Sequence, residues 1–456
     1  MGVIQYILDL GPSVMLPIVI FILALCLKEK PGKALRSGIM IGIGFIGISL
    51  IVGLMLDNLG PAAKDMAERF GVHMAAVDVG WPGSSPMAWA SQIGGVAILI
   101  AIGVNVLMLV LGLTRVVNVD IWNIWHMAFT GAMVQVASGS FIWGMVGVAV
   151  HAAFIYKLGD WLAPVTKKYF ELEGIAVPHG TAAYLAPFAI PFEWAFNRIP
   201  GVKKININAE KIESRLGVIG EPMIVGAVLG LAIGFLAGYD AKVALQLGMQ
   251  MAAVMVLMPK MVKCIMEGLL PVAGAARKIL EKKFKGKEFY IGLDPALLLG
   301  DTQVVAASLI FVPLTIVLAM IVPGNQVLPF GDLATIGFFV AMATGIHGGN
   351  LFRTLISGSF IMGITLWISS QTIGWHTQMA EQANALSKGV TQVASLDQGG
   401  SPITYILAQL LTLKNVTGLL VIGGLYVFCV ICTFIYYKQQ TRKALTVVNS
   451  EEKVSS

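Results

Sequence analysis

A small set of polar side chains interrupts the long apolar runs of this sequence, and their spacing indicates what they can bind. His126 and Thr130 are one helical turn apart on the same face, and Gln135 follows near the next turn. Trp122 and Trp125 come just before them. Aromatic rings beside hydrogen-bonding groups suit a sugar or polyol, because its C–H faces stack while its hydroxyls need donors and acceptors. The alternative is an interfacial tryptophan belt with a capping histidine.

Carboxylates lie near two further turns that contain proline. His179 stands in a Pro-His-Gly turn, with Glu171 and Glu173 just upstream. A carboxylate beside a hydroxyl-rich ligand can accept its hydrogen bonds or act as a base, although it can equally stabilise the start of a helix. Asp294 precedes Pro295, a residue that favours the first helical position, so we predict Asp294 to be an N-cap. Capping and substrate binding are compatible roles for this residue.

The composition places these residues in a membrane protein. Of the 456 residues, 57% are hydrophobic and 12% are charged, whereas a soluble globular domain has about 25% charged residues. The net charge is +6, and the basic residues lie mainly in short loops. This distribution is typical of the cytoplasmic loops of a membrane protein and not of a nucleic-acid-binding surface. Phosphate-binding, hydrolase and metal-ligand motifs are absent from the sequence, and we expect no metal and no cofactor on this chain.

The apolar runs predict an all-α polytopic membrane protein with about eleven spans. The runs are 14–27, 38–56, 92–113, 126–156 (read as two elements), 216–238, 241–258, 301–322, 333–345, 353–373, 403–413 and 416–437. Segments 80–90, 175–186 and 398–406 combine Gly, Pro and small hydroxyl residues, and we predict broken or re-entrant backbone there. Such interruptions in both halves are the best sequence indication of a carrier's binding site.

The two halves of the sequence are related. The pentapeptide SGSFI occurs at 138–142 and again at 357–361, and Asp78 and Asp120 have counterparts in Asp294 and Asp332 in the same order. Basic residues lie inside the first leading pair of spans, at 28–36, but flank the second pair, whose own loop at 239–242 is neutral. Positive-inside placement therefore predicts inverted units of five spans each.

This arrangement gives a complete division of the chain. We predict a first membrane repeat at 1–195, a cytoplasmic linker at 196–215, a second repeat at 216–415, a final span at 416–437 and a disordered cytoplasmic tail at 438–456. The N-terminus is then outside and the C-terminus is cytoplasmic.

Long motifs distributed over residues 5–440 resemble one family. They include LDLGPSVMLPIVI, VDVGWPGSSPMAWASQI, TRVVNVDIWNIWHMAFTGA, FELEGIAVPHGTAAY, FYIGLDPALLLGDTQVV and SLDQGGSPIT. Together they resemble the galactitol-specific IIC components (permeases) of the phosphoenolpyruvate-dependent phosphotransferase system. The resemblance implies a bacterial inner-membrane permease that moves a hexitol inward while a separate IIB chain phosphorylates it, with phosphate supplied from phosphoenolpyruvate through IIA. The phosphoryl-donor cysteine is then on IIB and not on this chain, which is a transport subunit of a phosphotransferase complex.

Distant similarity to the ascorbate-specific IIC proteins implies a homodimer and an elevator-type mechanism. It also implies a substrate site built from Ser84 and Ser85 in the WPGSSP turn, and from the residues singled out above: His126, Thr130, Gln135, His179, Glu173 and Asp294. Asp294 or Glu173 would orient or deprotonate the attacking hydroxyl.

The sequence is also compatible with two alternative functions. The same mechanism with another polyol or sugar fits the motifs equally well, because nothing in them separates one stereoisomer from another. An ion- or proton-coupled carrier without a phosphorylation partner is the other, since intramembrane His and Asp residues can relay protons.

Overall fold

The computed structural model describes residues 12–71, 74–120, 122–208, 221–283, 289–329, 331–383, 385–386 and 392–455. This part of the chain is mainly helical, as the apolar runs predict. Helices and short strands alternate in two similar series, followed by one long helix.

Among the described residues, the first series contains nine helices and three strands. They are α1 (Pro12–Cys26), α2 (Pro31–Arg69), β1 (Ala76–Asp78), α3 (Gly80–Ala90), α4 (Gly94–Val110), β2 (Val116–Asn118), α5 (Trp122–Ser138), α6 (Phe141–Lys168), β3 (Ile175–Ala176), α7 (Ala182–Leu185), α8 (Ala189–Arg198) and α9 (Pro200–Lys203), with a 3-10 turn at Ala186–Phe188.

The second series repeats this order. It contains α10 (Pro222–Ala237), α11 (Ala241–Lys283), β4 (Tyr290–Gly292), a 3-10 helix at Pro295–Gly300, α12 (Thr302–Ile321), β5 (Val327–Leu328), a 3-10 turn at Leu333–Thr335, α13 (Gly337–Ile346), α14 (Leu351–Gln382), β6 (Val393–Ala394) and α15 (Pro402–Thr412). Helix α16 (Val416–Ser455) ends the described chain.

The leading helix pairs of the two series pack against one another. Helices α1 and α2 contact α10 and α11, and we name these four helices the hairpin unit. Gly268 on α11 faces α2 so closely that a Cβ there would lie 2.7 Å from the backbone oxygen of Ser37. At the C-terminal end of α2, Arg69 Nη1 donates to the carbonyl oxygen of Phe235 in α10, at 2.7 Å. Small residues at a helix crossing allow the close packing by which helices associate in a membrane.

Two small parallel sheets join the series. Sheet I has the order β5-β1-β6 and sheet II the order β2-β4-β3. In each sheet the central strand belongs to one series and both outer strands to the other. An expectation of helices alone misses these strands, because two or three residues are too few to show a period of two. Their carboxyl ends deliver polar residues from both series to the same region.

Interruptions of the helices lie in or directly after the predicted segments. Helices α3 and α4 meet with a bend of 93° at residues 91–93, directly after the predicted stretch 80–90, which is itself helical. Residues 175–186 form strand β3, an extended stretch and the short helix α7, and 398–400 are bends and turns before α15. The run 126–156 is two helices, α5 and α6, joined through Gly139 at φ +69°. A positive φ costs glycine little, so it suits this junction.

In the described part of the chain, four helices are long and apolar enough to cross a membrane: α6, α12, α14 and the first 26 residues of α16. Counting the bent pair α3–α4 as one span makes five. This supports a membrane protein with several spans, while the count of eleven stays a prediction.

Two sequence expectations need correction. Residues 438–455 are helical as part of α16, and the disordered tail predicted there is therefore wrong. The sequence has no Gly or Pro after Gly424, and residues 438–445 are rich in helix formers, so nothing ends the helix. Helix α11 similarly runs on to Lys283, well beyond the predicted end at 258. Residues 209–215 of the predicted linker lie outside the described residues.

Candidate functional site

The candidate site lies where the third strand of each sheet ends. His179 follows the last residue of β3 by three positions, and Asp397 follows the last residue of β6 by three positions. The two are thus counterparts in the two series, and both precede a short turn into a helix. The rings of His126 and His179 are 4.1 Å apart, so α5 joins these two strand ends.

Asp397 is the centre of one half of the cluster. Its Oδ2 lies 3.4 Å from His126 Nε2, and its Oδ1 accepts from Gln398 Nε2, at 3.0 Å, and from the Thr181 hydroxyl. Its backbone N–H donates to Asp332 Oδ2, at 2.9 Å. The side chains of His126 and Asp397 are 0% and 7% exposed. An ionised carboxylate only accepts hydrogen bonds, so all three side-chain partners are donors toward it.

His179 and Asp294 form the other half. The backbone N–H of Thr181 donates to His179 Nδ1, at 3.3 Å. In a neutral imidazole the proton is then on Nε2, which lies 3.7 Å from Asp294 Oδ2. Asp294 Oδ1 accepts from the N–H of Ala296, at 2.8 Å, which confirms the predicted N-cap. Because Oδ1 caps the 3-10 helix, Oδ2 is the oxygen directed to the histidine.

Thr130 extends the cluster along α5, as its spacing from His126 predicts. Its Oγ1 lies 2.8 Å from His151 Nδ1 and 2.7 Å from Thr404 Oγ1. All three residues are buried. The bond of His151 to Thr130 places this histidine directly behind the cluster.

Ser84 and Ser85 approach from helix α3. Both are buried, and Ser84 Oγ lies 3.4 Å from His376 Nε2. The His376 ring packs edge-on against Phe129 of α5, with centroids 5.1 Å apart. Helix α3 is therefore held next to the face of α5 that carries His126 and Thr130.

Two residues predicted from the sequence lie away from this cluster. The side chain of Glu173 is 57% exposed and its carboxylate is 3.0 Å from Lys167 Nζ. The side-chain amide of Gln135 donates to Gln92 Oε1, at 2.9 Å, near the protein surface. The structure does not bring either residue to His126, His179 or Asp294.

Several buried polar atoms around the cluster have no hydrogen-bond partner among the described residues. They are His126 Nδ1, Gln398 Oε1, His151 Nε2, His376 Nδ1, Trp81 Nε1, Asn123 Oδ1, Ser401 Oγ and Tyr405 Oη. A buried polar group without a partner costs about 1–3 kcal/mol, and such groups are rare in folded proteins. An uncharged ligand with several hydroxyls would satisfy both the donors and the acceptors of this set. The described residues include no group of three or more His, Cys, Asp or Glu that could hold a metal ion.

Sequence reasoning missed Asp397, Gln398, Thr181, His376 and Thr404. Broken backbone was predicted at 398–406, and SLDQGGSPIT was among the family motifs, so the position of this stretch between two helices was a usable signal for Asp397 and Gln398. His376 lies near the end of a helix with many other polar residues, and its sequence context gives no such signal.

Comparison with known proteins decides the family. Residues 6–389 match the family described as PTS system sugar-specific permease component. The chain belongs to this family. The permease is 61% identical over 432 residues to the PTS system galactitol-specific EIIC component of Escherichia coli (strain K12), covering 95% of this chain and 96% of that protein. It has the same identity and coverage with the protein of that name from Escherichia coli O157:H7.

A more distant relative belongs to the same group. The putative permease IIC component of Escherichia coli (strain K12) is 40% identical over 421 residues, which cover 92% of this permease and 96% of the relative. The family assignment agrees with the resemblance in the sequence motifs, and it makes this chain a permease component of the phosphotransferase system.

Proposed function

We propose that this permease binds galactitol in the cluster between β3, β6 and α5, and carries it inward as a separate IIB chain phosphorylates it. The observation that carries the proposal is the set of buried polar atoms without partners around His126 and Gln398. A hexitol offers hydroxyls that both donate and accept. The names of the two relatives at 61% identity favour galactitol over other hexitols.

The geometry of His179 and Asp294 supports a way of orienting one substrate hydroxyl. The 3.7 Å between His179 Nε2 and Asp294 Oδ2 exceeds a normal hydrogen bond. A hydroxyl between them accepts from Nε2–H and donates to Oδ2, which fixes the direction of its remaining lone pair. Asp294 is thus a better candidate base than the exposed Glu173.

The chemical step follows from this orientation. The hydroxyl oxygen attacks the phosphorus of the phosphocysteine on IIB, forming an O–P bond as the S–P bond breaks. The hydroxyl proton passes to Asp294, and the thiolate remains on IIB. Positioning and charge stabilisation supply most of the catalysis in such transfers. IIA, also a separate chain, recharges IIB from phosphoenolpyruvate, and the permease itself needs no cofactor.

The architecture supports a division into a fixed and a moving part. The hairpin unit is closely packed through glycine at the crossing of α2 and α11, whereas the sheets and α5, α6, α13, α14 and α15 enclose the site. In this proposal the hairpin unit remains in place in a homodimer, and the remainder moves as an elevator through the bacterial inner membrane. The repeats are inverted five-span units at 1–195 and 216–415, with the N-terminus outside and the C-terminus cytoplasmic.

The test is phosphorylation in inverted vesicles that contain the permease, supplied with phospho-IIB and a panel of labelled polyols and sugars. We expect phosphate on galactitol and on few other compounds. Phosphate on a different polyol would preserve the mechanism and replace the substrate. Vesicles that phosphorylate none of the panel, with phospho-IIB shown to be competent, would contradict the proposal. Uptake abolished by a protonophore without any phosphodonor would then favour an ion-coupled carrier.

A further inference from the structure

We infer that Asp397 is a positioning residue that sets two hydrogen-bond acceptors, His126 Nδ1 and Gln398 Oε1, against two donating hydroxyls of an uncharged polyol. The inference rests on the proposed function and deepens it, because it assigns a specific acceptor atom on each of two residues and the carboxylate that orients both. It concerns the half of the cluster opposite His179 and Asp294.

Asp397 determines which ring nitrogen of His126 carries the proton. His126 Nε2 faces Asp397 Oδ2 at 3.4 Å. A carboxylate accepts and does not donate, so the ring proton of a neutral His126 is on Nε2 and Nδ1 carries a lone pair. Nδ1 is buried and has no partner among the described residues. It is therefore an acceptor without a donor.

Asp397 also determines the orientation of the Gln398 side chain. Its amide nitrogen donates to Asp397 Oδ1 at 3.0 Å. The two ends of an amide are distinguished by their hydrogen-bond network, and the carboxylate requires the NH2 group toward itself. Oε1 is then directed away from Asp397 and is also buried without a partner. One carboxylate thus fixes two acceptors, from helix α5 and from the turn after β6.

His126 and Gln398 lie close together, on either side of Gly180. A Cβ at position 180 would lie 2.7 Å from His126 Cβ and 3.0 Å from Gln398 Nε2. Two acceptors on neighbouring residues, next to carboxylates, favour a neutral molecule with hydroxyl donors. They disfavour anions such as hexonates, because the negative charge of the ligand would be repelled by the carboxylates.

The experiment compares galactitol with each mono-deoxy galactitol in the vesicle phosphorylation assay, for wild type and Asp397→Asn. In the wild type, removing a hydroxyl that donates to His126 or Gln398 should raise KM about 10- to 100-fold. In Asp397→Asn, the KM for galactitol itself should rise. The KM for the same deoxy compounds should exceed that for galactitol by less than about 3-fold, because neither acceptor is oriented in this variant. Partial rescue is expected in Asp397→Glu.

A spectroscopic measurement separates positioning from a general structural effect. Nitrogen NMR of histidine-labelled permease should show the His126 proton on Nε2 in the wild type and a mixture of tautomers in Asp397→Asn. Thr372→Val is the matched control, because it removes the hydrogen bond of Thr372 to Gly399 O, at 2.8 Å in the same turn, without changing the contacts of Asp397. This control should keep both the tautomer and the discrimination among deoxy compounds.

The inference is overturned if Asp397→Asn discriminates as wild type does, or if His126 carries its proton on Nδ1 in the wild type. If Asp397→Asn does not insert, Gln398→Met takes its place. That variant should lose discrimination at the hydroxyl bound by Oε1 and keep it elsewhere, and retained discrimination at every position contradicts the inference. A wild type that phosphorylates no hexitol defeats the proposed function, whereas the NMR comparison still decides the inference.

Discussion

Sheets I and II have the same plan, yet their carboxylates are used differently. In sheet I, Asp78 accepts from the backbone N–H groups of Gly80, Leu396 and Asp332. Asp332 accepts from the N–H groups of Trp81 and Asp397 and from the Ser395 hydroxyl. Both oxygens of each carboxylate are thereby bonded to the protein itself.

Sheet II leaves one carboxylate oxygen directed to a histidine. Asp120 accepts from the N–H groups of Trp122 and Asp294, and Asp294 Oδ1 caps its own helix. Asp294 Oδ2 instead lies 3.7 Å from His179, on a side chain that is 13% exposed. We infer that sheet I is a scaffold and that sheet II carries the chemistry. Duplication thus produces two equivalent sheets, each built from both series, of which one can become reactive while the other holds the site together.

Asp294→Asn is the change that should distinguish the chemical role of sheet II from the scaffold role of sheet I most strongly. Phosphoryl transfer to galactitol should fall at least about 100-fold, because an amide cannot accept the hydroxyl proton. Thermal stability should change little, since Asn is as good an N-cap as Asp. The initial rate with phospho-IIB and a melting curve in detergent measure the two effects. A variant with wild-type rate would show that sheet II is also a scaffold.

Asp332→Asn is the matched change in sheet I. In place of Oδ1 the amide NH2 group would face the N–H of Trp81, and in place of Oδ2 it would face the N–H of Asp397. Either orientation leaves buried donors unpaired, which costs about 1–3 kcal/mol for each. We expect a lower melting temperature and less inserted protein than for Asp294→Asn. The comparison fails if Asp332→Asn melts like the wild type, or if Asp294→Asn is the less stable of the two.

Thr130→Val should have a moderate effect. The substitution keeps the shape of the side chain but breaks the chain from His151 to Thr404. We expect KM for galactitol to rise by about 5- to 10-fold, the equivalent of one neutral hydrogen bond. Thr315→Val is the control, because that buried hydroxyl has no partner among the described residues. Equal KM values for both variants would remove Thr130 from the site.

Glu173→Gln and Gln135→Ala should have the smallest effects. Glu173 is exposed beside Lys167, and an exposed ion pair contributes at most about 1 kcal/mol. Transport rates within about 2-fold of the wild type are expected for both, as for surface substitutions in general. A large loss of transport in Glu173→Gln would bring this carboxylate back as the candidate base and weaken the role given to Asp294.

The sequence alone predicts much of the helical framework, because apolar runs and glycine- or proline-rich breaks are local signals. The division of 126–156 and the capping by Asp294 are confirmed in this way, whereas the break predicted at 80–90 lies just beyond it, at 91–93. Local spacing places His126 and Thr130 on one helix face, and the family resemblance adds His179 to the same site. The structure brings the rings of His126 and His179 to 4.1 Å. Local reasoning failed for the tail, where the absence of glycine and proline outweighs the polar composition.

The remainder of the site depends on contacts between distant parts of the chain. Asp397 meets His126 across 271 residues, and Asp332 meets Asp78 across 254. Such pairs arise because each sheet takes strands from both series, and strands of two or three residues leave no pattern to detect. Glu173 was predicted in the site because it is close to His179 in sequence. The turn into β3 places its carboxylate at the surface instead.

The most direct measurement is an experimental structure of the permease with galactitol bound. The account predicts ligand density within hydrogen-bond distance of His179 Nε2 and Asp294 Oδ2 on one side, and of His126 Nδ1 and Gln398 Oε1 on the other. Galactitol bound elsewhere, with these four atoms still lacking ligand contacts, would contradict it.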